Sequence, residues 1–240
     1  MKRSRGADRT AAAQRAYDES VFINCPFDDG YRPLFRATVF TVYDCGFDPC
    51  CALEVYNSGQ VRIDKIMKLV EDCRHGIHDI SRTELDSANQ LPRFNMPPEM
   101  GLFLGAQRFG AGRQKDKTCL VLDREPYRYQ KFISDIAGQD IAPHDGKVEK
   151  LIGTVRDWLS AATGNMPLPG AKIAERFSRF SAEMPLIAGV PSAGRGAHLR
   201  RLCQPRFELA EGQPSRVDRP DCLTGSSLFC DAGHPSGAGH

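Results

Sequence analysis

The sequence predicts an α/β domain of the doubly wound type, in which a five-stranded parallel sheet carries helices on both faces. The first observation is that short β-rich runs alternate with amphipathic segments from residue 20 to residue 161. The second is the apolar run 118–122, which is typical of a strand that is buried on both faces. The third is composition, because 41% apolar and 26% charged residues are enough for a sizeable core.

The strands are predicted from runs of β-branched and apolar residues that end at turn signals. They are expected at residues 20–24, 48–53, 75–80, 118–122 and 140–142. Parallel neighbours need right-handed crossovers, and we favour a flavodoxin-like strand order of 2-1-3-4-5. The carboxyl ends of the strands then meet at one edge of the sheet, where ligands of such folds bind.

The helices are predicted from apolar residues that recur at helical spacing. They are expected at residues 33–45, 62–73, 98–109, 129–137, 148–159 and 171–184. The second is the clearest, because Ile63, Ile66, Met67 and Val70 follow i, i+3, i+4, i+7. Prolines open the third helix and Gly110 closes it.

The two ends of the chain differ from the domain at residues 20–161. Residues 1–19 are basic and are predicted to form a flexible tail. Residues 162–187 are expected to form a linker and a C-terminal helix. Residues 188–240 contain no Ile, Lys, Met, Asn, Tyr or Trp and show no periodicity. They are interpreted either as a disordered tail or as the product of out-of-frame translation.

Charge, hydropathy and cysteine usage exclude several classes of protein. A net charge of +2 with interspersed signs argues against a nucleic-acid partner. No apolar run approaches the ~20 residues that cross a bilayer, and the N-terminus lacks the apolar part of a secretory signal. Nine cysteines without a C-x-x-C pair favour buried thiols over disulfides or zinc. We therefore expect a cytoplasmic protein with no metal site and no membrane contact.

The first group of candidate ligand-binding residues follows the first strand. It comprises Asn24, Pro26, Phe27, Asp28 and Tyr31. The segment lacks the G-x-G-x-x-G loop of dinucleotide-binding oxidoreductases. Its carboxylates and tyrosine suit ribose hydroxyls and base stacking, although Asp28 or Asp29 could equally cap the next helix.

The second group follows the third strand. Asp79 is placed to hold a pair of sugar hydroxyls, Ser81 lies beside it, and Arg82 could neutralise a phosphate. In the alternative interpretation, Asp79 and Ser81 cap the loop and Arg82 pairs with Glu84. His75 and His78 lie on opposite faces of the strand, so they cannot ligate one metal together.

The third group opens the helix before the fourth strand. Asn95 precedes the helix, and Glu99 lies in its first turn. A glutamate there is favoured by the helix dipole alone. In the functional interpretation, Glu99 faces the anomeric carbon of a bound nucleoside. It would attack C1′ or stabilise the positive charge that develops as the base departs.

Three short motifs in this order resemble a known family. Pro26-Phe27 after strand one, Asp79-Ile80-Ser81 after strand three and Glu99-Met100-Gly101 at a helix start are similar to nucleoside 2-deoxyribosyltransferase-like and TIR-like Rossmannoid domains. The resemblance implies that Glu99 is nucleophile or charge stabiliser in N-glycosidic cleavage. It also implies that Asp79 orients the sugar, and that Phe27 and Tyr31 hold base and sugar.

The resemblance further implies NAD or a nucleoside or nucleotide as substrate, with no separate cofactor. TIR-like members often act in bacterial defence, and many self-associate, so a homo-oligomer is compatible with it. The chain lacks the Trp-x-x-x-Glu motif of many TIR enzymes, since Trp158 is its only tryptophan. The alternative is a non-catalytic nucleotide-sensing or protein-interaction module on the same fold, in which Glu99 only caps its helix.

Overall fold

A computed structural model describes residues 2–52, 61–83, 94–136 and 138–188 of the chain. Its sheet has five strands, all parallel, in the order β2-β1-β3-β4-β5. The predicted fold class and strand order are therefore confirmed. The strands are β1 Ser20–Asn24, β2 Asp48–Cys50, β3 His75–Asp79, β4 Thr118–Asp123 and β5 Ile141–Pro143.

Six α-helices accompany the sheet in the described part of the chain. They are α1 Lys2–Glu19, α2 Arg32–Asp44, α3 Arg62–Asp72, α4 Met96–Phe109, α5 Val148–Thr163 and α6 Gly170–Ala188. Helices α2, α5 and α6 pack together, and α3 packs against α4. Two apolar layers, one for each group of helices, contain alternate residues of β1: Val21 and Ile23 in one, Phe22 in the other. The helices thus cover both faces of the sheet.

Helix α6 is part of the main apolar core. Phe177 and Phe180 of this helix lie 5.5 and 5.1 Å from Phe40 of α2, between ring centroids. Arg176 of α6 also lies 2.7 Å from the buried carboxylate of Asp44, at the end of α2. The helix predicted at the C-terminal side of a linker therefore completes one layer of the domain.

The packing of α6 predicts a loss of stability when Phe180 is truncated. Phe180 is 2% exposed, so Phe180→Ala leaves a cavity that should lower the free energy of unfolding by about 3–5 kcal/mol. Phe109→Ala is the matched control, because that ring is 87% exposed at the end of α4. Urea unfolding of both variants measures the difference. Equal stabilities would contradict the packing of α6.

The N-terminal segment differs from the flexible tail that the sequence predicts. Residues 2–19 form helix α1, and Tyr17 near its end is 1% exposed. The Tyr17 hydroxyl donates to the carbonyl oxygen of Arg113 at 2.6 Å, and Arg74 pairs with Asp18 at 3.0 Å. The basic composition favours a solvated tail, whereas three consecutive alanines favour a helix; Tyr17 attaches the end of this helix, and residues 8–16 are exposed.

The predicted helix at 129–137 is also wrong for the residues that the structure describes. Two short 3₁₀ turns, Arg128–Lys131 and Ser134–Ile136, lie there instead. Aromatic and β-branched residues lose rotamer freedom in a helix, and Ser134-Asp135 favours turns, so the segment lacks a continuous helical preference. Residue 137 lies outside the described residues, as do residues 189–240 of the tail predicted at 188–240 and residue 53 of the strand predicted at 48–53. Residues 51 and 52 of that strand are described and lie beyond the end of β2, and residue 188 belongs to α6.

None of the described helices is long and apolar enough to span a membrane.

Candidate functional site

Asn24 ties together three elements at the carboxyl edge of the sheet. Its side-chain nitrogen donates to the carbonyl oxygen of Met96 at 2.9 Å and lies 3.0 Å from Nδ1 of His78. Since Nδ2 carries two protons, both contacts can be made at once, with Nδ1 of His78 as an acceptor. Asn24 is 2% exposed. The predicted ligand residue therefore joins the end of β1 to β3 and to the start of α4.

Asp79 lies at the end of β3 and has no exposed surface. Its Oδ1 accepts the backbone N–H of Ser81 at 2.8 Å, and its Oδ2 accepts the hydroxyl of Tyr31 at 2.6 Å. Burial first, and then the charge of Asp79, raise the pKa of Tyr31 well above its ordinary value, so the phenol stays a neutral donor. The structure therefore matches the capping interpretation of Asp79, and both of its oxygens are occupied.

His144 is a third member of this buried cluster, and the sequence analysis missed it. The residue follows β5, and its Nε2 lies 3.2 Å from Oδ2 of Asp79, without the alignment of a hydrogen bond. Its Nδ1 accepts the N–H of Gly146 at 2.9 Å, so the proton of the neutral ring is on Nε2. A histidine directly after an edge strand, at the edge where ligands bind, is the signal that could have found it.

Asp28 and Arg82 connect the loops that follow β1 and β3. Oδ1 of Asp28 accepts the N–H of Tyr31 at 3.0 Å and lies 2.9 Å from Nη2 of Arg82. Asp28 therefore supports the start of α2, as the alternative interpretation expected. A Cβ atom on Gly30 would lie 2.6 Å from Nη2 of Arg82, so glycine makes room for the guanidinium. The expected partner Glu84 lies outside the described residues.

Arg128 holds the loop after β3 by hydrogen bonds, and the sequence analysis did not single this residue out. Its guanidinium donates to the carbonyl oxygen of Ser81 at 2.8 Å and to the Thr83 hydroxyl at 2.6 Å. Its Nε donates to Oδ1 of Asp123 at 3.0 Å. Burial raises the pKa of Asp123, and the bonds from Arg128 oppose that change. Because the Asp123 side chain is fully buried, Arg128 neutralises a charge that water cannot reach.

Glu99 lies in the first turn of α4, and its side chain is 12% exposed. Nη2 of Arg62 lies 4.0 Å from its Oε1, and its carboxylate has no hydrogen bond to any residue that the structure describes. Burial raises the pKa of Glu99, and the charge of Arg62 opposes that change. The start of a helix favours the charged form of a carboxylate, so it acts on Glu99 in the same direction as Arg62.

The charges of the predicted carboxylates all act on the buried thiol of Cys25. Cys25 follows β1 and is buried. Burial raises the pKa of this thiol well above its ordinary value, and the charges of Asp79, Glu99 and Asp28 raise it further. The contacts of Asn24 with His78 and with Met96 bring the same three groups of residues together at the carboxyl edge.

The remaining predicted residues differ in how accessible they are to a ligand. Pro26 and Ser81 are buried, and Phe27 is half-buried with its ring edge-to-face against Phe35 at 5.4 Å. Asn95 is exposed at the start of α4, and its side chain makes no capping hydrogen bond. Asn95 is therefore open to a ligand, whereas Pro26 and Phe27 shape the loop.

The fold and the site define an α/β domain whose carboxyl edge holds buried carboxylates beside the arginines at positions 62 and 82. In the part of the chain that the structure describes, no group of three or more His, Cys, Asp or Glu residues could hold a metal ion. Comparisons of the chain with protein-family models, with curated proteins and with solved structures found no match.

Proposed function

We propose that the domain is an enzyme that hydrolyses, or transfers at, the N-glycosidic bond of NAD or of a nucleoside or nucleotide. Glu99 would be the residue that faces C1′ of the sugar. The observation that supports this most strongly is the state of Glu99: a largely buried carboxylate without a hydrogen bond among the described residues. Carboxyl groups with raised pKa values at a ligand edge are candidates for catalysis.

The poor solvation of the Glu99 carboxylate explains how it would act. A buried anion lacks the hydrogen bonds of water, and Arg62 at 4.0 Å replaces them poorly because its own side chain is 57% exposed. As the base departs, positive charge develops on the sugar ring. A carboxylate in a poorly solvated position stabilises that charge more strongly than one in water.

Asp79 would then act as a positioning residue and would not touch the sugar. Its oxygens hold the Tyr31 hydroxyl and the Ser81 N–H, so they fix the two loops that flank the site. The exposed Asn95 side chain, one turn before Glu99, is the better candidate for a direct hydrogen bond to the substrate. The cytoplasmic location and the role in bacterial defence signalling stay predictions from the sequence.

A non-catalytic nucleotide-sensing module is the second candidate function. The observation that favours it is that both carboxylates already accept hydrogen bonds from the protein: Tyr31 donates its hydroxyl to Asp79 and its N–H to Asp28. A ligand can bind at such an edge by replacing one of these hydrogen-bond partners, without any chemical reaction. Glu99 would then remain a residue of the helix start.

Release of nicotinamide or free base from NAD, NADP and a set of nucleosides and deoxynucleosides distinguishes the two functions. We expect release by the concentrated full-length protein, with loss of release in Glu99→Gln. Glu149→Gln is the matched control, since Glu149 is an exposed glutamate in the first turn of α5. Nucleotide binding with no release from any substrate would favour the sensing module.

A further inference from the structure

The backbone around Arg82 is held on both sides. The N–H of Ser81 donates to Oδ1 of Asp79, and the carbonyl oxygen of Ser81 accepts from Arg128 at 2.8 Å. On the other side, the Thr83 hydroxyl accepts from Arg128 at 2.6 Å. The main chain at position 82 is therefore fixed at the carboxyl edge, whatever its side chain does.

The Arg82 side chain, in contrast, has one partner in the part of the chain that is described. Its Nη2 pairs with Oδ1 of Asp28 at 2.9 Å, and the side chain is 36% exposed. A guanidinium has five N–H donors, so most of its capacity is unused by this contact. Ion pairs that are partly exposed contribute little net free energy, so this pair can open.

Asp28 has a second hydrogen-bond donor besides Arg82. The same Oδ1 atom accepts the N–H of Tyr31 at 3.0 Å, so Asp28 keeps a hydrogen bond at the start of α2 when the arginine leaves. Gly30 lets the guanidinium pack closely against this loop, because a Cβ atom there would lie 2.6 Å from Nη2. A ligand group with more oxygens and more charge than one carboxylate would therefore compete successfully for Arg82.

We propose that Arg82 is a phosphate-binding residue and that the ligand's phosphate replaces Asp28 as its partner. Phosphate accepts two parallel N–H bonds from a guanidinium, whereas Asp28 accepts one. The ligand is therefore a nucleotide and not a bare nucleoside. This inference rests on the proposed function for the nature of the ligand, but its evidence is independent of Glu99.

Titration calorimetry of the full chain with AMP, adenosine and inorganic phosphate tests the proposal. AMP is expected to bind about 10–100-fold more tightly than adenosine, and Arg82→Gln should remove that difference. Asp28→Asn should raise the affinity for AMP by about 3–5-fold, because it frees Arg82 while the amide oxygen still accepts the Tyr31 N–H.

Asp29→Asn is the matched control for the change of charge. Asp29 lies in the same loop and is exposed, and it pairs with Arg32 and not with Arg82. The affinity of this variant for AMP should stay within about twofold of the parent, because exposed charges are screened. An affinity gain in Asp29→Asn equal to that in Asp28→Asn would overturn the proposal.

Three other results would also overturn it: equal binding of AMP and adenosine, no binding of either, or phosphate that binds as tightly as AMP. The last result would identify a site for free phosphate. Because this readout is binding and the Glu99 test is base release, failure of one leaves the other to be judged separately.

Discussion

Arg128→Met should lower the free energy of unfolding by about 3–5 kcal/mol, because it leaves the buried carboxylate of Asp123 without its counter-charge. Nε and Nη2 of Arg128 both donate to Oδ1 of Asp123, whose side chain has no exposed surface. The same substitution removes the donors to the loop after β3, at Ile80, Ser81 and Thr83. Urea unfolding at pH 7.5 measures the loss.

Arg156→Met is a suitable control for the loss of a clamping arginine. Arg156 also donates to two backbone carbonyl oxygens, those of Pro167 and Leu168, each at 3.0 Å. Its carboxylate partner Asp157 is exposed, so the loss should be only about 1–2 kcal/mol. Addition of Asp123→Asn to Arg128→Met should recover part of the stability. Equal losses in the two single variants would contradict a buried ion pair.

Acid should destabilise the protein through two buried histidines of β3. Burial lowers the pKa of His75 to about 4 and that of His78 to about 3, and the charges of Arg74 and Lys117 act in the same direction. The unfolded chain binds protons on both rings below pH ~6.5, while the folded protein cannot. Stability is therefore lost as the pH falls from about 6.5, at about 2 kcal/mol per ring by pH 5.

Carboxyl groups oppose this effect, so the test compares how the stability of a variant and that of the wild type change with pH. Burial raises the pKa of Asp44 to about 6 and also raises those of Glu99 and Asp123, so these groups stabilise the fold at lower pH. His78→Asn keeps an acceptor for Asn24 but removes the titrating ring. Its stability relative to wild type should improve by about 2 kcal/mol between pH 7.5 and pH 5.

Phe103→Leu provides the control for lost packing. The Phe103 ring lies 5.0 Å from that of His78, between centroids, and it does not titrate. Its substitution should cost stability equally at pH 7.5 and pH 5. If His78→Asn and wild type lose stability in parallel as the pH falls, the neutral buried state of His78 is wrong.

The sheet could be predicted because its strands carry strong local signals. The apolar run of β4 and the alternation of strands with amphipathic helices predict a parallel sheet, and β1 has the predicted bounds. The attachment of helix α1 could not be predicted in the same way, since it depends on distant partners: the carbonyl oxygen of Arg113 for Tyr17 and the guanidinium of Arg74 for Asp18. Local composition contains no information about those partners.

In the candidate site, too, local contacts could be predicted from the sequence and long-range contacts could not. Capping by Asp28 and Asp79 follows from residues that lie two or three positions away, so the sequence offered it as an alternative. The contact of His144 with Asp79 spans 65 positions, and it exists only because β5 and β3 end at the same edge. Likewise, Arg128 reaches Thr83 from a short 3₁₀ turn that has no periodic pattern in the sequence.

Turnover and binding by Glu99→Gln, measured on the best substrate of the NAD and nucleoside panel, test the central claim most directly. The account predicts that base release falls by at least about 100-fold while the dissociation constant changes by less than about threefold. Glu149→Gln should keep both values. Base release by Glu99→Gln within about tenfold of wild type would contradict the assignment of Glu99 to the reacting carbon.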